Sequence, residues 1–397
     1  MKVGCFISDV SSGGGNHLTK DFIINISRLQ SNSIEIVLIV STNIFQDFIE
    51  QNNFKYNFFK VGLMQKILFK LHTKKTVSKI LNFFNIINPL ERFVLKNKID
   101  LLIFNSPSIY SLYARRINYA ACIWNTEIRQ YKNFPEFKNG AFEQQEKLIK
   151  EITRNAFKVI VFTNQNKKDL VDIYNCSSKK IILQNLKPML PKIYEDTHNK
   201  YNYLKEFKKL KLSKKKIWIF YPAQFWFHKN HTYIINSLKY IDHLKMNNVN
   251  FVFCGRDKGY LAQIKEKIKK NKFGSRFRIF NYLRDSQVIS LYLYSDAIVV
   301  PTHLGRSSMP LLESFYFNKK IFYSSKVLDK KFYNYVDKVD LDRPVDFSNK
   351  LYSFLKNRKK LNNVNHLKKI YYKECSDYKF LDTYKKIIND FKIKKIN

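Results

Sequence analysis

The chain opens on an apolar run, KVGCFIS, that reads as a buried strand. The polar, glycine-rich SSGGGN (Ser11–Asn16) predicts a loop. From His17 to Leu29, the residues Leu18, Phe22, Ile26 and Leu29 fall on one helical face, and Ile34–Val40 is a second apolar run of strand length. Strand, glycine loop, helix and strand make a βαβ unit, which implies a parallel sheet. Residues 55–98 break the alternation. Their FKYNFFKVGLMQKILFKLHTKK mixes Lys with Phe, Leu and Ile and predicts one or two basic amphipathic helices. Strands are expected again at Leu101–Phe104, near Ala120–Trp124, at Lys158–Thr163 and at Lys179–Asn185, with a helix over Gln144–Asn155.

Pro188 and Pro191 then interrupt the pattern, and the polar YEDTHNKYNYLKEFKKLKLSKKK follows, so a domain boundary is expected between residues 188 and 214. Beyond it, strands at Ile217–Ala223, Asn250–Gly255, Arg276–Phe280, Ala297–Pro301 and Lys319–Ser324 alternate with helices. The helices start near Thr232, cover Leu261–Lys270 and Ser286–Ser295, and start again at Pro310. The expected class is α/β with two doubly wound Rossmann-like domains, over 1–195 and 196–376. A basic helical tail, 377–397, is free to cross back to the first domain. Such sheets bind ligands beyond the carboxyl ends of their strands. Residues just after strands are therefore the candidates.

Composition changes this picture only a little. In 397 residues, 71 basic side chains face 32 acidic ones, a formal charge of +39, which favours anionic partners: nucleic acid, anionic membrane or phosphorylated ligands. The chain is also rich in Lys, Asn, Ile, Phe and Tyr and poor in Gly, as AT-rich codons alone would produce, so the charge selects no single partner. Cys5, Cys122, Cys176, Cys254 and Cys375 lie far apart without a C-x-x-C pair. That argues against zinc ribbons, redox pairs and a disulfide scaffold and makes a reducing cytoplasm the expected compartment. The apolar run Val3–Ile7 is too short for a signal peptide, and no window of about 18 residues reads as a membrane-spanning helix.

Four stretches carry candidate chemistry. In PTHLGRSSMPLLE (Pro301–Glu313) a strand ends, a polar loop with Gly305, Arg306, Ser307 and Ser308 follows, and Met309–Pro310 opens a helix. Free amides at that helix start suit a diphosphate, and Glu313, one turn in, suits a ribose diol. The plainer reading is a loop whose Glu favours the helix dipole. In YPAQFWFHKNH (Tyr221–His231), Lys229 is by itself an ordinary loop lysine. His228 and His231 have no Cys or acid nearby in sequence to complete a metal site, so no metal is expected. In CGRDKGY, Gly255 follows a strand directly and lets backbone approach a ligand. Arg256 and Lys258 either line a phosphate pocket or are surface charges. SSGGGN, with Gly13, Gly14 and Gly15, does not satisfy G-x-G-x-x-G, which counts against a nicotinamide enzyme.

Ser295–Ser324, SDAIVVPTHLGRSSMPLLESFYFNKKIFYS, resembles the donor-site signature of retaining family-4 glycosyltransferases of the GT-B fold, the glycosyl transferases group 1. The resemblance is strong from Ile217 to Ser324 and weak before Ala120. It implies a GT-B fold, a nucleotide-diphosphate sugar as donor, retention of configuration, no cofactor and no required metal. Glu313 matches the family's ribose-binding carboxylate. The family's first carboxylate falls on Gly305, which leaves Arg306, Ser307, Ser308 and Met309 to contact the donor. Lys229 matches the lysine that neutralises the diphosphate, and Gln224 stands where an arginine is frequent. Asn281–Leu283, with Tyr282, matches the strand end that grips the nucleobase. SSGGGN matches the loop facing the donor phosphates. IWNTEIRQYKNFPEF resembles an acceptor-side segment in which Asn125 and Ile128 replace an Asp and a His, leaving Asn125, Glu127 and Arg129 as acceptor-side candidates.

The resemblance therefore implies a transferase moving a sugar to a saccharide or lipid-linked hydroxyl acceptor, in cell-surface polysaccharide or lipopolysaccharide synthesis. A GT-B-like sugar-nucleotide epimerase or phosphorylase is the alternative enzyme. A non-catalytic basic protein that binds RNA or membrane is the alternative outside enzymes, although no RNP, KH or helix-turn-helix signature is present and no specific nucleic-acid partner is expected. Lys66, Lys70, Lys74, Lys75 and Lys79 beside Leu68, Phe69 and Leu71 predict a peripheral contact with an anionic cytoplasmic membrane face. An ordinary buried helix pair is the competing reading there.

Overall fold

A computed structural model of the chain describes residues 1–7, 9–11, 13–73, 83, 86–240, 246, 248–306, 308–357 and 365–396. The first half builds on seven parallel strands: β1 (Lys2–Phe6), β2 (Glu35–Val40), β3 (Tyr56–Phe58), β4 (Leu101–Phe104), β5 (Tyr119–Cys122), β6 (Lys158–Val161) and β7 (Ile181–Leu183). Their order is β3-β2-β1-β4-β5-β6-β7. The second half builds on β8 (Ile217–Pro222), β9 (Val249–Cys254), β10 (Phe277–Phe280), β11 (Ala297–Val300), β12 (Lys320–Ser324) and β13 (Asp337–Val339). Their order is β10-β9-β8-β11-β12-β13, and every described pairing in both sheets is parallel.

The apolar runs explain the layers. LLIF of β4, YAAC of β5, VNFVFC of β9 and AIVV of β11 are buried at every position. Only a sheet covered by helices on both faces accepts strands of that kind. The strand order reverses between β1 and β4 and again between β8 and β11. At each reversal the neighbouring connections leave to opposite faces and open a crevice at the carboxyl ends.

Several elements depart from the sequence expectation. The first helix starts earlier than His17, at Gly14 inside the glycine stretch, and runs to Ser27. Gly13 makes this possible: its φ of 73° turns the chain into the helix, a conformation that disfavours side chains. The polar stretch around the boundary is not a bare linker but holds the helices Met189–Thr197 and Tyr203–Lys209. Residues 55–98 include the strand β3 as well as the helices Leu63–Thr73 and Pro89–Lys96. The second of these is capped by Asn88, whose side chain accepts the N–H groups of Leu90 and Glu91 at 3.1 Å. β13 and the helices Pro344–Asn357 and Asn365–Glu374 lie beyond the last strand expected from the sequence.

The last helix, Asp377–Ile396, lies against the first half of the molecule. Phe380 and Tyr384 set their rings edge-on to Phe22 at 6.1 and 5.4 Å, and Phe391 does the same to Phe157 at 5.6 Å. Such pairs are each worth about 0.5–1.5 kcal/mol beyond the area they bury. Asp377 adds ion pairs to Lys187 and, at 2.8 Å, to Arg28. All five cysteines are free and buried.

Candidate functional site

A cleft of about 760 Å³ opens where the two reversal points face each other. A hollow of similar size, about 720 Å³, lies at the amino-terminal ends of β1 and β2, where none of the sequence motifs reach. The chemistry is in the first.

The loop after β8 is built rigidly. His231 and Phe225 are buried in an aromatic box with Tyr221 and Phe253, with ring centroids 4.6–5.1 Å from the histidine. Tyr221 Oη donates to the Lys229 carbonyl at 2.6 Å. The His303 N–H and the Thr302 hydroxyl donate to the His228 carbonyl at 2.8 and 3.3 Å, tying this loop to the one after β11. Lys229 thereby lines the cleft while protein encloses its other sides. Burial pushes its ammonium down to about 8, against the opposing pull of the Glu127 and Glu136 carboxylates. Burial also lowers His228 to about 4, so its neutral ring donates Nδ1–H to Glu136 at 2.5 Å. His231, pushed to about 3 by burial, is a core residue. Among the described residues no group of three or more His, Cys, Asp or Glu is placed to hold a metal.

The loop after β11 leads into the helix Met309–Tyr316, which starts at Ser308 without a side-chain cap. The glycine helix of the first half also starts without one, at Gly13. These two starts meet: a Cβ placed on Gly14 would be 3.4 Å from Met309 Cγ. Two sets of free backbone amides, each at the positive end of a helix dipole, therefore point into one space with Lys229 at its edge. Glu313 is 5% exposed and takes a hydrogen bond of 2.6 Å from Tyr292 Oη. Burial raises its carboxyl above the ordinary value in spite of that bond. On the opposite rim, Tyr282 is 63% exposed with the Arg256 guanidinium 5.3 Å over its ring. His17 of the first half bonds Asp285 of the second at 3.2 Å. Burial works against the Asp285 charge, but the His17 contact keeps that carboxyl below its ordinary range.

The structure brings Gly13, Gly14, Gly15, Asn125, Gln224, Lys229 and Gly255 to the cleft lining together with Arg256, Tyr282, Leu283, Gly305, Ser308, Met309 and Glu313. It places others elsewhere. Lys258 lies over the Trp226 ring at 5.7 Å and does not line the cleft. Arg129 turns to Glu146 and to the Tyr174 ring within the first half. Arg306 is held by Asp169, and Glu127 by backbone amides, at the boundary of the two halves. Ser307 lies outside the described residues. Gly255 lines the cleft as expected and also meets a second need. A Cβ there would sit 2.3 Å from the Ala223 carbonyl oxygen and 2.6 Å from Gln224 Cα, so the close approach is to protein backbone. Sequence reasoning missed the wall formed by Lys20, Ile44, Asp47, Phe48 and Gln51, where Lys20 Nζ stands 5.3 Å over the Phe48 ring. For Ile44, Asp47, Phe48 and Gln51 the available signal was their position beyond β2, and for Lys20 its place in the helix after the glycine loop.

Residues 202–369 match the family model of the glycosyl transferases group 1. No curated protein matches the chain in sequence. Solved structures resemble it over its whole length. The Anabaena protein HepE in complex with UDP-glucose superposes with a TM-score of 0.73 at 11% identity, over 98% of this chain and 100% of that one. A glycosyltransferase from Rickettsia africae gives 0.71 at 15% identity, over 98% of each chain. The UDP-GlcNAc 2-epimerase of Neisseria meningitidis, bound to UDP-GlcNAc, gives 0.57 at 13%, over 99% and 100%. At these identities the likeness establishes the fold, two facing Rossmann-like domains of the GT-B type.

Proposed function

We propose that the protein transfers a sugar from a nucleotide-diphosphate donor to a hydroxyl acceptor with retained configuration, a reading supported by the match of residues 202–369 to the glycosyl transferases group 1 model and by the GT-B fold. One observation carries the reading: two uncapped helix starts and the Lys229 ammonium converge on one cleft at both reversal points. That is a site for a diphosphate. Lys229 and the amides after Gly13 and Ser308 supply its counter-charge, so the reading requires no metal. Glu313, close to the helix start, faces the ribose, and Tyr282 and Leu283 face the base.

In the reaction the bond between the anomeric carbon and the diphosphate oxygen breaks as the acceptor oxygen bonds to the same face of that carbon. The acceptor proton passes to the departing diphosphate. Charge grows on the diphosphate in the transition state, where a preoriented ammonium and fixed dipoles act most strongly. A thermal-shift screen of the purified chain against UDP, GDP, ADP and CMP tests the donor class and identifies the base. A melting temperature raised by one nucleoside diphosphate supports the reading, and none raised removes it. NMR of the product then reads the anomeric outcome, and inversion refutes retention. The Neisseria fold likeness keeps an epimerase as the alternative, which the same incubation distinguishes by a changed sugar without transfer.

A second reading concerns location. The helix Leu63–Thr73 exposes Leu63, Met64 and Ile67 at 77%, 72% and 44%, with Lys66 and Lys70 on the same short segment. Phe69 is buried, so part of the helix is core; Lys74, Lys75 and Lys79 lie outside the described residues. No described helix is long and apolar enough to cross a membrane. The exposed apolar edge with its lysines suits the headgroup region of an anionic leaflet. The edge supports a reading in which the enzyme works at the cytoplasmic membrane face, on a saccharide or lipid-linked acceptor of cell-surface polysaccharide or lipopolysaccharide synthesis. In flotation, the protein rises with anionic vesicles at low salt and is released at high salt; failure to rise with any vesicle ends the membrane reading alone.

A further inference from the structure

The segment Thr126–Phe137 of the first half lies against the two loops that carry Lys229 and Gly305. Phe134 meets the Phe227 ring at 4.9 Å and the His303 ring at 5.4 Å, and Glu136 takes the His228 ring N–H. Glu127 is buried, at 2% exposure. Its Oε1 accepts the N–H groups of Gly305 and Arg306 at 2.8 and 3.3 Å. Its Oε2 accepts the Thr126 N–H at 3.1 Å and is 4.0 Å from Arg306 Nη1. Beside it, Asp169 binds the Arg306 guanidinium and the Thr126 hydroxyl, so the charge of Arg306 is already matched.

The backbone that Glu127 holds is next to the ammonium of the site. Gly305 has a φ of 97°, and a Cβ there would be 3.7 Å from Lys229 Nζ. Glu127 itself is not part of the cleft lining. Two carboxylates, Glu127 and Glu136, favour the charged form of Lys229. Glu136 is committed to His228, whose neutral ring brings no charge, which leaves Glu127 as the acid tied to the loop beside Lys229.

We infer that Glu127 is a positioning residue for the diphosphate end of the nucleotide, reaching from the first domain to fix the Gly305–Arg306 peptide beside Lys229 and to balance the ammonium. The inference rests on the nucleotide-sugar reading above. It makes the donor site depend on closure: the second domain carries Lys229, but the acid that steadies it belongs to the first.

The test is calorimetric binding of UDP, GDP and ADP to the full-length protein and to E127Q and E127D, across pH. Affinity of the unchanged protein for its diphosphate declines above about pH 8 as Lys229 loses its proton. In E127Q the glutamine oxygen still accepts from the loop amides but carries no charge, and the decline moves down by about one pH unit. A merely structural loss would weaken binding equally at every pH and leave the decline in place. E127D keeps the charge while withdrawing from the Gly305 and Arg306 amides, so its decline stays put and its affinity falls several-fold. If E127Q binds with the same pH dependence as the unchanged protein, the inference is wrong and the nucleotide-sugar reading stands. Should E127Q not fold, E127D decides: unaltered affinity overturns the inference. If the unchanged protein binds none of the three diphosphates, the reading falls and the inference with it.

Discussion

The two domains share one strand order around their reversal points, yet they bring different matter to the cleft. At the β1–β4 reversal the first domain offers mainly backbone: a helix that begins among Gly13, Gly14 and Gly15 with no side-chain cap. At the β8–β11 reversal the second offers side chains: Lys229 on a loop pinned by Tyr221 and Thr302, and Glu313 on the helix Met309–Tyr316, held by Tyr292. The amides of the first carry partial charge at little solvation cost. The ammonium of the second carries a full charge that burial penalises, and it leans on acids from the neighbouring domain. The same topology thus supports one half-site built on backbone dipoles and another built on a buried charge balanced from the neighbouring domain.

The largest expected effect breaks the charged half. In the proposed reaction K229M removes the cation facing the leaving diphosphate, and turnover should fall by about 10²–10³-fold, as for loss of one preoriented stabilising group. The unliganded protein should gain stability. The Lys229 ammonium titrates at about 8 in the fold against an ordinary 10.5. Below pH 8 both folded and unfolded chains hold the proton, and the burial penalty is fully present. Between pH 8 and 10.5 the folded chain has released a proton that the unfolded chain keeps, so the stability of the unchanged protein rises with pH. The advantage of K229M, on the order of 2 kcal/mol, is therefore greatest near neutral pH and fades towards pH 10.5. Denaturation midpoints at pH 7 and pH 10 measure it. A variant no more stable than the unchanged protein at pH 7 would contradict the assigned burial.

A smaller pair of effects compares glycine in the two halves. In G255A the new methyl meets the Ala223–Gln224 backbone at 2.3–2.6 Å, and a strand end has to move. A loss of about 1–3 kcal/mol is expected from such overpacking. In G15A the methyl meets side chains, Val10 at 2.9 Å and Trp124 at 3.1 Å, which are able to turn aside. Gly15 is already within the helix, where alanine is favoured, so the net cost should stay below about 1 kcal/mol. Urea unfolding of both variants provides the ratio; equal losses would mean that the two glycine sites are equally constrained.

Much of this was legible in the chain. Apolar runs such as LLIF and AIVV, spaced by helical periods, specify strands buried on both faces, and the alternation specifies two parallel sheets. The resemblance to the glycosyl transferases group 1, with the rule that ligands lie beyond strand ends, pointed to Gly13–Gly15, Lys229 and Glu313, all of which reach one cleft. These are local properties: a strand, its turn and the helix after it are contiguous, so their pattern is written in neighbouring residues. What the tertiary structure decided is the pairing of distant ones. Glu127 and Gly305 are 178 positions apart, His228 and Glu136 are 92 apart, and no periodicity relates them. Arg306 looked like a ligand contact until the fold set it against Asp169, and only the fold shows that Gly255, at the cleft, is also packed against the Ala223 backbone just beyond β8. A residue's type limits which partners it accepts, but burial and distance choose among them, and both exist only once the two domains pack together.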